Sequence, residues 1–401
     1  MILLKGGLIF KDDGFVASDI LIEGENIIDI SPIILVKGDC EIIDCTDKWV
    51  RPGAVDVHVH LREPGFSHKE TILRGTTSAA KGGVTTVFAM PNLNPVPDSK
   101  ENLQKELDII KSSAVINVLP YLSLTKGQNG KELSEMCVNS TDAIAYSDDG
   151  TGVSDLNLLE KAMEITKHQD AVICSHAEAT EISDVRAQEY AAVRREAALA
   201  QHVKCKYHFC HLSTKESFEI VRKAKDWGAD ISCEVTPHHL TLCIDDIADT
   251  NYKMNPPLRD KSDVKATIEA VLEGTATIIA TDHAPHAEFE KAVDYAHAPN
   301  GIIGLETFLP IVYTTLVKPG LISPQKMIEL TTTNAQARFG LPISSLSVGE
   351  RADICVLDIN NKRKYTKEEI LSKSSNSPFI GKEFFGFNTL TLYKGNVVYR
   401  A

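Results

Sequence analysis

Between Val55 and Leu61 the chain alternates apolar and polar residues without a break, as Val55-Asp56-Val57-His58-Val59-His60-Leu61. A β-strand of that period sends Val55, Val57 and Val59 to one face and Asp56, His58 and His60 to the other. Two imidazoles then leave one face about 6.6 Å apart, close enough to converge on a metal ion. Pro64 and Gly65 follow and stop the strand, so both histidines fall at its carboxyl end, with Arg62 in the loop beyond.

Similar apolar runs recur at Val84–Met90, Ala114–Tyr121, Asp142–Ser147, Ala171–His176, Lys206–His211, Ala229–Thr236 and Thr277–Asp282. Between them lie stretches of helical texture at Ser67–Lys81, Ser99–Ser112, Asp155–Gln169, Arg186–Val203, Lys215–Trp227 and Ser262–Glu273. Eight such runs over about 290 residues, alternating with helical stretches, predict a (β/α)8 barrel spanning residues 53–346. The runner-up, an open doubly wound sheet, lacks a Gly-x-Gly-x-x-Gly turn after its early strands. The flanks carry short strands instead, at Met1–Leu4, Leu8–Phe10, Ile20–Ile22, Asn26–Ile30 and Glu41–Cys45, then at Asp353–Leu357, Thr389–Tyr393 and Asn396–Tyr399. The economical reading is one small β domain assembled from residues 1–52 and 347–401.

A parallel barrel builds its site at the carboxyl ends of the strands. Those ends carry His58 and His60 on strand one, Asp148-Asp149-Gly150 on strand four, His176 on strand five, His211 on strand six and Asp282-His283 on strand eight. On strand six, strict alternation groups His208 with Cys210 and His211 with Phe209, an uncomfortable parity for a site residue unless the strand end twists out of register. His238 and His239 read as supporting or packing groups, and His68, His168, His202 and His297 have no partner in view. Glu288–Gly304 is polar and follows the mouth residues, which suggests a mobile cover.

Composition narrows the class. The chain has 401 residues, 43% hydrophobic, yet no apolar run reaches the roughly 18 residues of a membrane span, and its start lacks a signal peptide's apolar region. It reads as soluble and cytoplasmic, with no membrane role. A net charge of -13, from 42 basic and 55 acidic residues, argues against a nucleic-acid partner. Nine cysteines without a Cys-x-x-Cys spacing read as reduced, buried thiols.

Taken in order, Asp56-Val57-His58-Val59-His60-Leu61-Arg62-Glu63-Pro64-Gly65, Met90-Pro91-Asn92, Thr236-Pro237-His238-His239, Asn255-Pro256-Pro257-Leu258-Arg259 and Thr281-Asp282-His283-Ala284-Pro285-His286 resemble the dihydroorotases of the metal-dependent amidohydrolase superfamily. Ser377-Pro378-Phe379-Ile380-Gly381 and Lys394-Gly395-Asn396-Val397-Val398-Tyr399 look like the same family's tail, so the resemblance covers nearly the whole chain. It implies an amidohydrolase barrel holding one or two zinc ions and interconverting N-carbamoyl-L-aspartate and dihydroorotate in pyrimidine biosynthesis. Carried over, His58 and His60 hold one metal, Asp149 bridges, His176 and His211 hold a second, and Asp282 lies beside the metal as proton shuttle. Arg62, Asn92, Asn255 and His286 grip the substrate, while Asp148 stays structural.

The resemblance is also compatible with a homo-oligomer and with an aspartate transcarbamoylase partner. Two departures stand out. Hydantoinases and allantoinases carry a carbamylated Lys at the bridging position, and Ile144–Gly150 contains no Lys. The crossover between Glu178 and Tyr207 is shorter than in many dihydroorotases. The alternatives are an allantoinase or hydantoinase acting on another cyclic amide, and a non-catalytic dihydroorotase-like subunit that stabilises a transcarbamoylase.

Overall fold

The computed structural model describes residues 1–11, 14–136 and 142–401, which leaves Cys137 outside the described residues. Eight parallel strands, Ala54–Val59, Val84–Ala89, Asn117–Leu122, Ala145–Tyr146, Val172–Ser175, Lys206–Phe209, Ile231–Val235 and Ile278–Ile279, each pair with the next in sequence. The ring closes between strand one and the residues after strand eight, where Val59 bridges His283 and the His60 amide donates to the His283 carbonyl at 2.8 Å. This is a nearly closed (β/α)8 barrel. Val55, Val57, Phe88, Tyr121, Cys174 and Ile278 fill its interior. A second apolar layer, including Val59, Ile173, Phe209 and Val235, packs the outer faces of the strands against the helices.

The helices Lys100–Ser113, Leu156–His168, Val185–Val203 and Lys261–Leu272 start where a side-chain oxygen of Ser99, Asp155, Asp184 or Asp260 accepts a first-turn amide. Lys215–Asp226 turns Phe218, Val221 and Ala224 inward at intervals of one helical turn. The first helix begins at Ile72, not at Ser67: Thr71 caps Arg74, and the Ile72 amide donates to Glu63 Oε2 at 2.9 Å, which holds the preceding turn beside the mouth. The short crossover from strand five to strand six holds the single helix Val185–Val203. No helix among the described residues is long and apolar enough to cross a membrane.

Both ends of the chain meet in a separate β sheet. Its order is Asn396–Arg400, Phe387–Tyr393, Ile354–Asp358, Trp49–Pro52, Ile2–Lys11, Gly14–Glu23 and Asn26–Ser31, with Glu41–Asp44 pairing Ile2–Lys11. The two strands expected before Phe10 are one, made irregular between Leu4 and Gly7, where Gly6 takes a φ of 68°. Leu4, Ile20, Ile22, Val50, Ile354 and Leu392 form its core. The sheet docks on the barrel through Asn388 Nδ2, which donates to the Ala80 and Lys81 carbonyls at 3.2 Å, and through Thr391 Oγ1, which donates to Ala80 at 2.6 Å.

The alternation at strand one does not survive folding. Pairing with strand two is irregular between Asp56 and Val59, and an extra residue there re-aims the side chains that follow. Val55 and Val57 belong to the interior cluster, whereas Val59 belongs to the outer layer. Asp56 parts from His58 and His60 and ties strand one to the end of strand eight. Its carboxylate accepts from the Thr281 amide at 3.0 Å, Thr281 Oγ1 at 2.5 Å and the His58 amide at 3.2 Å. Removing a buried acceptor leaves its donors unsatisfied, at about 1–3 kcal/mol for each. With three donors stranded, Asp56→Ala is therefore expected to lower the free energy of unfolding by at least about 3 kcal/mol in urea titrations. A midpoint equal to the parent's would contradict this account of the seam.

Candidate active site

The mouth residues are delivered by the last turn of each strand. Asp149 lies in the turn after strand four, and Asp148 anchors that turn by accepting from Ser123 Oγ at 2.7 Å, the Thr125 amide at 3.1 Å and Thr125 Oγ1. Asp148 thus faces away from the cluster that Asp149 enters. Strand six ends at Phe209, which packs in the outer layer, while Cys210 faces the interior. Continued alternation would send His211 outward with Phe209. A left-handed backbone at His211, φ 34°, and its amide's hydrogen bond to Glu234 Oε1 at 3.2 Å turn the ring back to the mouth. Arg62 and Asp282 are also left-handed, at φ 61° and 49°. Such backbones in non-glycine residues concentrate at functional sites.

Asp149 is the hub. Its Oδ1 lies 3.4 Å from His58 Nε2, 3.5 Å from His211 Nε2 and 3.7 Å from His176 Nδ1, and its Oδ2 lies 3.5 Å from His60 Nε2. Asp282 Oδ1 stands 3.1 Å from His60 Nε2 and 3.5 Å from His58 Nε2, and His176 Nδ1 is 3.0 Å from His211 Nε2. A tetrahedral ion with bonds of 2.0–2.2 Å sets its ligands about 3.3–3.6 Å apart, so most of these separations are edges of such a polyhedron. Two groupings that could each hold an ion, His58-His60-Asp149 and Asp149-His176-His211, share Asp149.

Two atoms test the fit. His58 Nε2 and Asp149 Oδ1 are buried, face each other across this space, and have no hydrogen-bond partner among the described residues. Buried polar atoms are nearly always paired, and a cation accepting both lone pairs would resolve the exception. A donor set of imidazole nitrogen and carboxylate oxygen suits a borderline ion such as zinc. Burial opposes charge on Asp282, but His58, His60 and His211 outweigh it and hold the carboxyl below the usual range.

Beside the cluster opens a cavity of about 210 Å³, lined among others by His60, Arg62, Asn92, Asn255, Asp282 and His286. Burial lowers the Arg62 guanidinium to about 10, which leaves it charged at neutral pH. Its Nε donates to the Pro285 carbonyl at 3.3 Å. Among the described residues Nη2 meets only His286 Nε2, at 3.5 Å, and that nitrogen already donates to the Asn300 carbonyl at 2.8 Å. The guanidinium's outer edge is thus available to an anion in the cavity. Asn92 Nδ2 donates to the Asp149 carbonyl at 2.7 Å. Asn255 Nδ2 lies 3.1 Å from His176 Nε2 and 3.4 Å from Glu178 Oε2. Burial, with Arg62 and Lys69 adding to it, lowers His286 to about 3 and keeps it neutral.

Several neighbours escaped the strand-end reading. Glu234, His208 and Glu178 stand behind the ligand-bearing histidines, at 2.8–3.1 Å from His58, Glu234 and His176 respectively. A charged residue inside the wholly buried strand Ile231–Val235 is the available signal for Glu234. His239 joins Thr236 Oγ1 to the Pro256 carbonyl, at 2.8 and 3.1 Å, and so supports the Asn255 loop. Within the segment expected to be a cover, Lys291 donates to the carbonyls of Thr250 and Lys253 at 3.0 and 3.2 Å, in the loop after strand seven, and to that of Pro299 in the segment itself at 2.8 Å.

Residues 47–193 match the Dihydro-orotase-like family, and residues 133–399 match the Amidohydrolase family. Dihydroorotase of Geobacillus sp. is 41% identical over 100% of this chain and 99% of its own length. Dihydroorotase of Bacillus anthracis is 40% identical over 99% of this chain and 98% of its own. The fold is shared with a D-hydantoinase (dihydropyrimidinase) from Thermus sp., at a TM-score of 0.88 and 24% identity over 100% of this chain and 95% of that one. The L-hydantoinase of Arthrobacter aurescens superposes equally, with a TM-score of 0.88 and 24% identity over 100% and 96%.

Proposed function

This chain belongs to the dihydroorotase family of the amidohydrolases, and on that premise we propose that it interconverts N-carbamoyl-L-aspartate and (S)-dihydroorotate in de novo pyrimidine biosynthesis. The observation that carries the reading is the meeting of four imidazoles on Asp149 beside a cavity edged by Arg62. Residues 53–346 form the catalytic domain in this reading, and 1–52 with 347–401 its β companion. The residues given roles here all belong to one chain, and the reading puts the enzyme in the cytoplasm.

One or two zinc ions would be held by His58, His60, His176, His211 and Asp149. Zinc in such a site supplies water acidified to a pKa of about 7 and polarises a carbonyl. The protein's own groups do the rest. Arg62 takes the free carboxylate of the substrate in a two-donor fork, and Asn92 and Asn255 orient the ring beneath it. His286, neutral and fixed by Asn300, completes the wall on the Arg62 side. In ring opening a carbon–oxygen bond forms at the carbonyl and the carbon–nitrogen bond breaks. Asp282 accepts the proton of the attacking water and delivers it to the departing nitrogen; in ring closure it runs the same transfers in reverse.

The sharing of Asp149 predicts unequal losses. By metal analysis after dialysis, Asp149→Ala is expected to lose all bound zinc, while His176→Ala keeps up to one ion per chain; equal retention in the two would contradict the bridge. In an absorbance assay of dihydroorotate, Asp282→Asn is expected to lower kcat by about 10²–10⁴ with metal retained. Arg62→Met is expected to raise KM by about 10- to 100-fold. Comparable activity in Asp282→Asn would remove the proton shuttle. Zinc-loaded protein that consumes allantoin or hydantoin and leaves dihydroorotate untouched, or that turns over none of them, would overturn the assignment.

A further inference from the structure

Glu234 is fully buried on strand seven, yet it touches neither the cavity nor Asp149. Three donors converge on its carboxylate. His58 Nδ1 lies 2.8 Å from Oε1, the His211 amide donates to the same oxygen at 3.2 Å, and His208 Nε2 lies 3.0 Å from Oε2. On its far side His208 Nδ1 meets Ser232 Oγ at 2.7 Å. A hydroxyl that donates to Nδ1 leaves the His208 proton on Nε2, aimed at Glu234. All three contacts are ones that a carboxylate meets as acceptor, through both of its oxygens.

An imidazole that donates from Nδ1 keeps its lone pair on Nε2. In His58 that Nε2 is the unpartnered atom 3.4 Å from Asp149 and 3.5 Å from Asp282. We propose that Glu234 is a positioning residue for the metal centre, fixing His58 as an Nε2 ligand and holding His211 in its left-handed turn, with His208 and Ser232 orienting the carboxylate. One carboxylate thereby sets a ligand in each of the two groupings that share Asp149. The inference rests on the reading that the cluster binds a divalent ion. Partners of this kind behind metal-ligating histidines raise ligand basicity, and losing one weakens metal binding about 10- to 100-fold.

Glu234→Gln tests the charge with little change of shape. Its amide oxygen can still accept from His58 Nδ1, and its NH2 can donate to His208 Nε2 once that ring's proton moves to Nδ1, facing Ser232. By chelator competition, zinc affinity is expected to fall about 10- to 100-fold, and the visible spectrum of the cobalt-loaded variant is expected to shift. A variant that binds zinc as tightly as the parent would overturn the inference alone. Histidine nitrogen NMR of the zinc-loaded parent provides a check that needs no variant to fold. A proton on His58 Nδ1 and none on Nε2 is expected, and the reverse would overturn the assignment. A parent protein that takes up no divalent ion would overturn this inference and the metal reading together.

Discussion

Four imidazoles and two carboxylates are enclosed at the barrel mouth, with ring nitrogens and carboxylate oxygens facing one another at separations of 3.0–3.7 Å. Such an arrangement is unstable unless charge or protons come between the groups, because buried polar atoms need partners and buried anions need counter-charges. Protons can meet part of the demand: burial opposes charge on Asp149, but His58 and His211 outweigh it and hold the carboxyl well below the usual range. A divalent cation meets all of it. The rest of the site follows from that demand: the carboxylates behind the rings, the charged Arg62 at the cavity edge, and the ionised Asp282 between them.

Reaching this geometry requires backbone that side chains do not favour. Arg62, His211 and Asp282 all lie at positive φ, at a cost of order 1–3 kcal/mol each. Local hydrogen bonds hold two of these turns in place. The His211 amide binds Glu234, and Thr281, next to Asp282, is held by Asp56 through both its amide and its hydroxyl. The seam that closes the barrel therefore also sets Asp282 against His60. Stability and chemistry share the same few contacts, so substitutions at the seam act on both.

Much of this was legible in the chain. Apolar runs located all eight barrel strands to within a few residues because each is buried on both faces. Strand ends then pointed to the residues that the structure brings together. Parity was not legible: a bulge between Asp56 and Val59 and a left-handed His211 both break a period of two, and neither leaves a mark in the pattern of apolar residues. Hence Asp56 was grouped with His58 and His60, and His211 with Phe209, where the structure separates each. Glu234 and His208 went unassigned because their partners, His58 and Ser232, lie 176 and 24 residues away and only the fold reveals them.

Anomalous diffraction at the zinc edge from crystals of the zinc-loaded protein addresses the central claim most directly. The account predicts a peak about 2.0–2.2 Å from His58 Nε2, His60 Nε2 and Asp149, with any second peak sharing Asp149 with His176 Nδ1 and His211 Nε2. Zinc found only elsewhere, or a mouth in which these rings turn away from Asp149, would contradict it.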